Sequence, residues 1–181
     1  MTFNITFKAD EVGSLPLPKI AAGYVSSAGT FEGGLFSVLD EPLSSAVLDG
    51  WRWLLGRDAI ALVASAFGDL FFWSEKHGSI YFLEVQRGTS TFVGKDMAHL
   101  FDRFLTRAEI LDRVLHRERF KSVVSRLGKP KYRECYIAVP WARVGGSGEI
   151  STYTKGDLAV YASLVGQSVQ QAMMLERSRT H

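Results

Sequence analysis

The sequence predicts an α+β protein: a central, mainly antiparallel sheet, a four-strand meander plus additional strands, flanked by helices. Three observations predict it. Between Ala59 and Gly94 lie four short β-type runs, Ile60–Ala66, Leu70–Trp73, Ser79–Val85 and Thr89–Val93. The gaps carry turn residues, Gly68-Asp69, Glu75-Lys76-His77-Gly78 and Gln86-Arg87-Gly88, and short Gly-bearing connections between short strands are the mark of antiparallel hairpins. Strand alternation puts Ile80, Phe82 and Glu84 on one face and Tyr81, Leu83 and Val85 on the other. Both faces are therefore largely apolar, and helices must cover at least one of them.

The chain can supply those helices. Phe3–Phe7 reads as a short strand, and a helix is expected after Ser14, with Leu17, Ile20, Ala21 and Tyr24 on its buried face. Gly33-Gly34 introduces a strand at Leu35–Leu39. Asp40 is placed as an N-cap, with Glu41 and Pro42 in the first turn, Leu43, Val47, Leu48, Trp51, Leu54 and Leu55 at helical spacing, and Gly56 just past the end. Trp51 and Trp53 stand two positions apart, so Trp53 is expected near the surface or under another segment. Beyond the meander, Asp96 can cap a helix bearing Met97, Leu100, Phe101, Phe104 and Leu105, and Thr106 with Glu109 matches a capping box. The apolar stripe continues through Leu127 with a break near His116, and Gly128 and Pro130 stop it. Glu134–Val139 reads as a strand, Gly145–Gly148 as a connection, and Gly156–Arg177 as a helix buried along Leu158, Ala162, Val165, Val169 and Met173. A boundary near residue 57 would separate an N-terminal helical region, 1–56, from a sheet-plus-helices unit, 57–181; one continuous domain is the other reading.

At 181 residues the chain can bury a proper core, and with 46% hydrophobic and 22% charged residues it has a folded protein's composition. A net charge of +2 gives no ground for non-specific nucleic-acid binding. The single cysteine, Cys135, excludes an intramolecular disulfide and fits a reducing compartment. The N-terminus lacks the apolar core of an export signal and no run suits a membrane span, so the expected setting is the cytoplasm.

Residues that could carry chemistry have plainer uses. Cys135 lies mid-strand, where it packs as a small apolar residue. His77, His99, His116 and His181 show no ligand spacing, so neither a metal nor another cofactor is expected. The glycine loop Gly145–Gly148 lacks a P-loop ending, and Glu149 and Asp157 would repel phosphate. Asp69, Glu75 and Glu84 are not visibly brought together as a catalytic pair. Arg103–Arg133 contains ten Lys or Arg, read as the solvated faces of amphipathic helices or as a footprint for nucleic acid or an acidic partner. Trp73 ends a strand and Trp141 begins a loop, places where aromatics anchor either a protein interface or the monomer's own edge.

Two stretches together carry a family resemblance. FGDLFFW at Phe67–Trp73, followed by SIYFLEVQRGTSTFVG, and LGKPKYRECYIAVPWARVGG at Leu127–Gly146 resemble, in order, two motifs of the immunity proteins of type VI secretion DNase effectors. GLFSVLDEP at Gly34–Pro42 resembles the junction preceding that family's shared helix; the family is built as a GAD-like N-terminal region plus a C-terminal immunity domain, and here the GAD-like part would be reduced. The resemblance implies a non-enzymatic protein that binds and neutralises a cognate toxin, with no catalytic residue, no cofactor and no direct nucleic-acid contact. Gly68, Asp69, Trp73, Cys135, Tyr136 and Gly145-Gly146 would keep the fold. The candidate partner-binding residues are Trp73, Lys76, His77, Arg87, Trp141 and Arg143, with the turns Glu75–Gly78 and Gln86–Gly88 as contact points. Two alternatives stand beside this: a regulatory scaffold of the Smi1/Knr4 type, and a small hydrolase using Gly145–Gly148 with Ser147 or Cys135 beside a histidine.

Overall fold

The computed structural model describes residues 2–179, the side chains of Arg143 and Arg179 excepted. Its centre is a seven-stranded sheet in sequence order, every neighbouring pair antiparallel: β1 (Glu11–Val12), β2 (Gly29–Phe31), β3 (Phe36–Val38), β4 (Ala59–Ser65), β5 (Leu70–Ser74), β6 (Ser79–Glu84) and β7 (Thr89–Gly94). The four-strand meander is present within a residue or two of its expected bounds. β3 pairs with β4, so the sheet runs without a break across residue 57. A second, two-stranded sheet joins β8 (Glu134–Ala138) to β9 (Tyr153–Asp157).

Both faces of the large sheet are covered, and the alternation along β6 is the reason. Ile80 and Phe82 join a core with Phe3, Phe36, Phe71, Leu100, Phe101 and Phe120. Tyr81, Leu83 and Val85 join another with Leu43, Trp51, Phe72, Cys135, Ala162, Val165 and Val169. The first face is covered by α1 (Thr2–Thr6), a π-helical stretch (His99–Phe104), α4 (Ala108–Arg113) and α5 (Arg117–Leu127). The second is covered by α2 (Glu41–Ala46), a 3-10 turn (Asp49–Trp51), α3 (Arg52–Leu55) and α6 (Leu158–Arg179). A bulge between Ala61 and Val63 shifts the register of β4 and turns the adjacent Leu62 and Val63 toward the same, first core, while Ala61 and Ala64 serve the second.

Caps and stops fall where their chemistry places them. Asp40 accepts from Leu43 N at 2.9 Å and Asp96 from His99 N at 2.7 Å. Gly56 ends α3 at φ 88°. The break near His116 is a residue in the left-handed region, φ 55° and ψ 49°, immediately before α5. Trp51 is fully buried and donates its ring N–H to Ala162 O, whereas half-buried Trp53 lies under α6 and donates to Gly50 O and Gly166 O.

Four local expectations need correction. Thr2–Thr6 is a helix, not part of a strand at Phe3–Phe7: those two phenylalanines fit either period, and the 87% exposure of Ile5 shows the helical one. The segment after Ser14 forms isolated turns instead of a helix, because Pro16 and Pro18 lack the N–H groups a helix uses. Pro18 O accepts from Ala21 N and Ala22 N, and the turn stops at Gly23, φ 92°. The Thr106–Glu109 capping box does not form: Thr106 Oγ1 donates back to Asp102 O, and α4 starts without a side-chain cap. Tyr153–Asp157, with its last two residues expected in the final helix, is instead β9, whose Tyr and Thr side chains suit a strand; that helix starts at Leu158.

Candidate functional site

Hairpin connections alternate between the ends of a meander, and this sorts the candidate residues. The β4–β5 turn (Ala66–Asp69) and the β6–β7 turn (Val85–Gly88) share one end, while the β5–β6 turn (Glu75–Gly78) is at the other, a five-residue strand away. Arg87 and Trp141 therefore belong to one region and Lys76 and His77 to another. Lys76 and His77 are exposed, and the His77 ring lies edge-on to Tyr81 at 5.9 Å. Trp73 is half-buried in β5 between Ile60 and Ile80, packed on the first core, with its ring N–H buried and unbonded among the described residues. The backbone of Arg143 forms the 3-10 turn Ala142–Val144; its side chain lies outside the described atoms, and His181 outside the described residues.

At the Arg87 end, four segments enclose a cleft of about 560 Å³. Phe67 and Asp69 come from the β4–β5 turn, Glu84, Gln86 and Arg87 from the end of β6 and its turn, and His116 and Arg119 from the start of α5; Ala138, Ala142, Gly146 to Gly148 and Tyr153 come from β8, its loop and β9. Gln86 ties two of these together. Its Oε1 accepts from Ala142 N at 3.0 Å while its Nε2 donates to Tyr161 Oη at 2.8 Å. Trp141 is half-buried beside this clasp, its ring edge-on to Tyr161 at 6.1 Å. The glycine loop closes through Gly146 N to Trp141 O at 3.0 Å, and a Cβ on Gly146 would overlap the carbonyl oxygen of Pro140. The Val139–Pro140 bond is cis. Gly146 is thus required by a close backbone approach, not by a phosphate.

The cleft's charges are of both signs. Glu84 and Arg87 form an ion pair at 3.2 Å. Asp69 accepts from Val85 N at 2.9 Å, and burial raises its pKa to about 7, with the negative charge of Glu84 adding to the rise. His116 is held below the ordinary imidazole range by desolvation and by Arg119. Its ring meets Phe67 at 6.4 Å, and Phe67 in turn meets Tyr153 edge-on at 5.5 Å. Ser147 is exposed on the loop, its Oγ accepting from Glu149 N at 3.3 Å. Cys135, by contrast, is fully buried in the second core, and burial pushes its thiol far above the thiolate range.

The sequence reading left Asp69, Glu75 and Glu84 apart. The structure separates Glu75, which is in the other turn, but brings Asp69 and Glu84 to one cleft. The signal was available: β5 and β6 pair as Leu70–Leu83 through Ser74–Ser79, so one more step outward sets Asp69 across from Glu84. His116, Arg119 and Tyr153 had no such signal, because no local pattern relates them to the hairpin. The Lys and Arg surplus of Arg103–Arg133 is partly spent on its own helices, in the pairs Arg113–Glu109, Arg117–Asp112 and Lys121–Glu118. Among the described residues no group of three His, Cys, Asp or Glu is placed to hold a metal ion, and no helix is long and apolar enough to cross a membrane.

These features define an α+β sheet protein with a mixed-charge cleft at one end. A similar fold is seen in the crystal structure of Atu4351 from Agrobacterium tumefaciens, with a TM-score of 0.61 and 17% sequence identity over 92% of this chain and 89% of that one. At that identity the likeness establishes a shared fold and nothing finer. No protein-family model and no curated protein matches the chain.

Proposed function

We propose that this chain is an immunity protein that binds a cognate toxin, in keeping with the type VI DNase effectors, and neutralises it without catalysis. One observation carries the reading. The two stretches with the family resemblance, Phe67–Trp73 and Leu127–Gly146, lie about 60 residues apart, yet both contribute walls to the same cleft: Phe67 and Asp69 from one, Ala138, Ala142 and Gly146 from the other. A cleft of rigid walls and mixed charge suits recognition of a protein surface better than imitation of DNA, which would call for uniform acidity. Inhibition by shape, or by distorting the toxin, follows from that.

The test is co-expression and co-purification with the product of the neighbouring gene. A tight complex and loss of toxicity are expected. Several weak partners instead of one tight one would favour the regulatory scaffold. The hydrolase alternative rests on Ser147 and His116 lining one cleft. Hydrolysis of activated ester substrates, lost on Ser147→Ala, would be required to sustain it.

A further inference from the structure

The cleft holds an acceptor that no hydrogen bond from the described residues occupies. Asp69 Oδ1 accepts from Val85 N at 2.9 Å, and Ser65 Oγ accepts from Asp69 N at 3.1 Å; together they fix the β4–β5 turn against β6. That task occupies one carboxyl oxygen, and the amide oxygen of an asparagine could perform it. Asp69 Oδ2 receives no hydrogen bond from the described residues, and Asp69 lines the cleft. A carboxyl in this position is costly, because burial disfavours its charged form. The charged and titratable groups around it are Glu84 of β6, Arg87 of the turn, His116 and Arg119 at the start of α5, Tyr161 of α6 and Cys135 of β8. Among the described residues none is in ion-pair contact with Asp69: Arg87, whose charge offsets part of the cost, is paired with Glu84, and Arg119 is exposed on α5.

The surroundings complete a socket for a particular shape. Phe67 and Tyr153 present aromatic surface at the cleft wall, and a guanidinium is the cation that stacks on such surface while donating in its own plane. Glu84 also lines the wall, with its charge shared with Arg87. The volume, about 560 Å³, accommodates an arginine side chain with room for its hydration. An anion would find its cations, Arg87 and Arg119, at exposed positions where solvent screens them, and the acid beside it.

We propose that the cleft receives an arginine side chain of the partner protein, its guanidinium donating to Asp69 and lying against Phe67 and Tyr153. The proposal rests on the immunity reading for the source of that arginine, but the socket can be tested without the toxin. The probe is N-acetyl-arginine-N-methylamide, titrated into the isotope-labelled protein by NMR beside its citrulline counterpart, which has the same shape without the charge. Arginine should shift the signals of Phe67, Asp69, Val85 and Tyr153 along a saturating curve, and citrulline should bind at least tenfold more weakly. Asp69→Asn keeps the acceptor for Val85 and should lower the arginine affinity tenfold or more; Phe67→Leu, which removes one of the two stacking rings and keeps an apolar side chain against the core, should lower it about threefold. Equal binding of the two probes, shifts confined to another region, or unchanged affinity in both variants would overturn the socket. A toxin complex that forms while the arginine probe fails rejects the socket and keeps the immunity reading. Selective arginine binding with no toxin complex does the reverse.

Discussion

At one end of the meander the Glu75–Gly78 turn closes on itself, through His77 N to Ser74 O at 3.2 Å and Gly78 N to Glu75 O at 3.3 Å, and its four residues stand in solvent. At the other end Gln86 reaches the loop after β8 and the side chain of α6, drawing in segments from 67 to 161. A groove of similar size exists at the first end, between Pro18, Glu41, Arg52, Arg57 and Glu75, and its one deeply engaged charge is spent on the backbone beside it. Arg52 donates to Arg57 O at 2.6 Å and Ala59 O at 3.0 Å. The cleft end keeps a carboxyl oxygen of Asp69 without a hydrogen bond from the described residues. Exposure alone therefore does not single out a binding site; the cleft end differs in that distant segments are clasped together around it.

The sharpest way to break this contrast is to place the same methyl group at both ends. Gly146→Ala would drive a Cβ into the Pro140 carbonyl, and only movement of the loop can relieve it. We expect a loss of about 3 kcal/mol in chemical denaturation, together with loss of toxin binding. Asp69→Asn comes next, through pH. The folded pKa of Asp69, about 7, lies above the ordinary 3.8, so the folded state binds the proton more tightly. The carboxyl is harmless below about pH 4, and its cost grows as pH rises and is complete above about pH 7. The full shift corresponds to about 4 kcal/mol. Because Asp69 is only half-buried and solvent in the cleft screens its charge, the wild type should lose on the order of 2 kcal/mol relative to Asp69→Asn between those limits, read from denaturation series at matched pH. A flat difference would show that the carboxyl is well solvated.

Charge reversal separates the ends as surfaces. Arg87→Glu should weaken the toxin complex about tenfold, or about 1.4 kcal/mol, whereas Lys76→Glu should change it less than twofold. Equal effects would extend the interface along the whole sheet; the reversed order would move it to the other end. The smallest effect belongs to Gly78→Ala. That glycine has φ 54° and open space around its Cβ, so only the left-handed backbone is penalised, by about 1 kcal/mol. The gap between Gly146→Ala and Gly78→Ala measures how much of the cleft end depends on tertiary contact.

Local sequence was a good guide where one interaction range decided the outcome. The β6 alternation specified two buried faces, Asp40 specified a cap, and Gly56, Gly128 and Pro130 specified stops, each through neighbours within a few residues. It failed at Thr2–Thr6, where Phe3 and Phe7 satisfy two periods at once, and packing on Phe31, Phe36 and Phe101 chose the helix. It failed again at β9, whose partner, β8, is separated from it by a loop of fourteen residues, Val139 to Thr152.

The amino-acid sequence by itself determined the four-strand meander, the two apolar faces that demand cover and the family resemblance, because hairpin register and side-chain alternation are fixed within a few residues of chain. Only the tertiary structure decided that Phe67, Asp69, Arg87, His116, Gly146 and Tyr153 share one cleft, and that Lys76 and His77 stand at the opposite end. The physical reason is that these neighbours are joined by contacts across tens of residues. Burial of the two cores sets those contacts, and no local pattern encodes them.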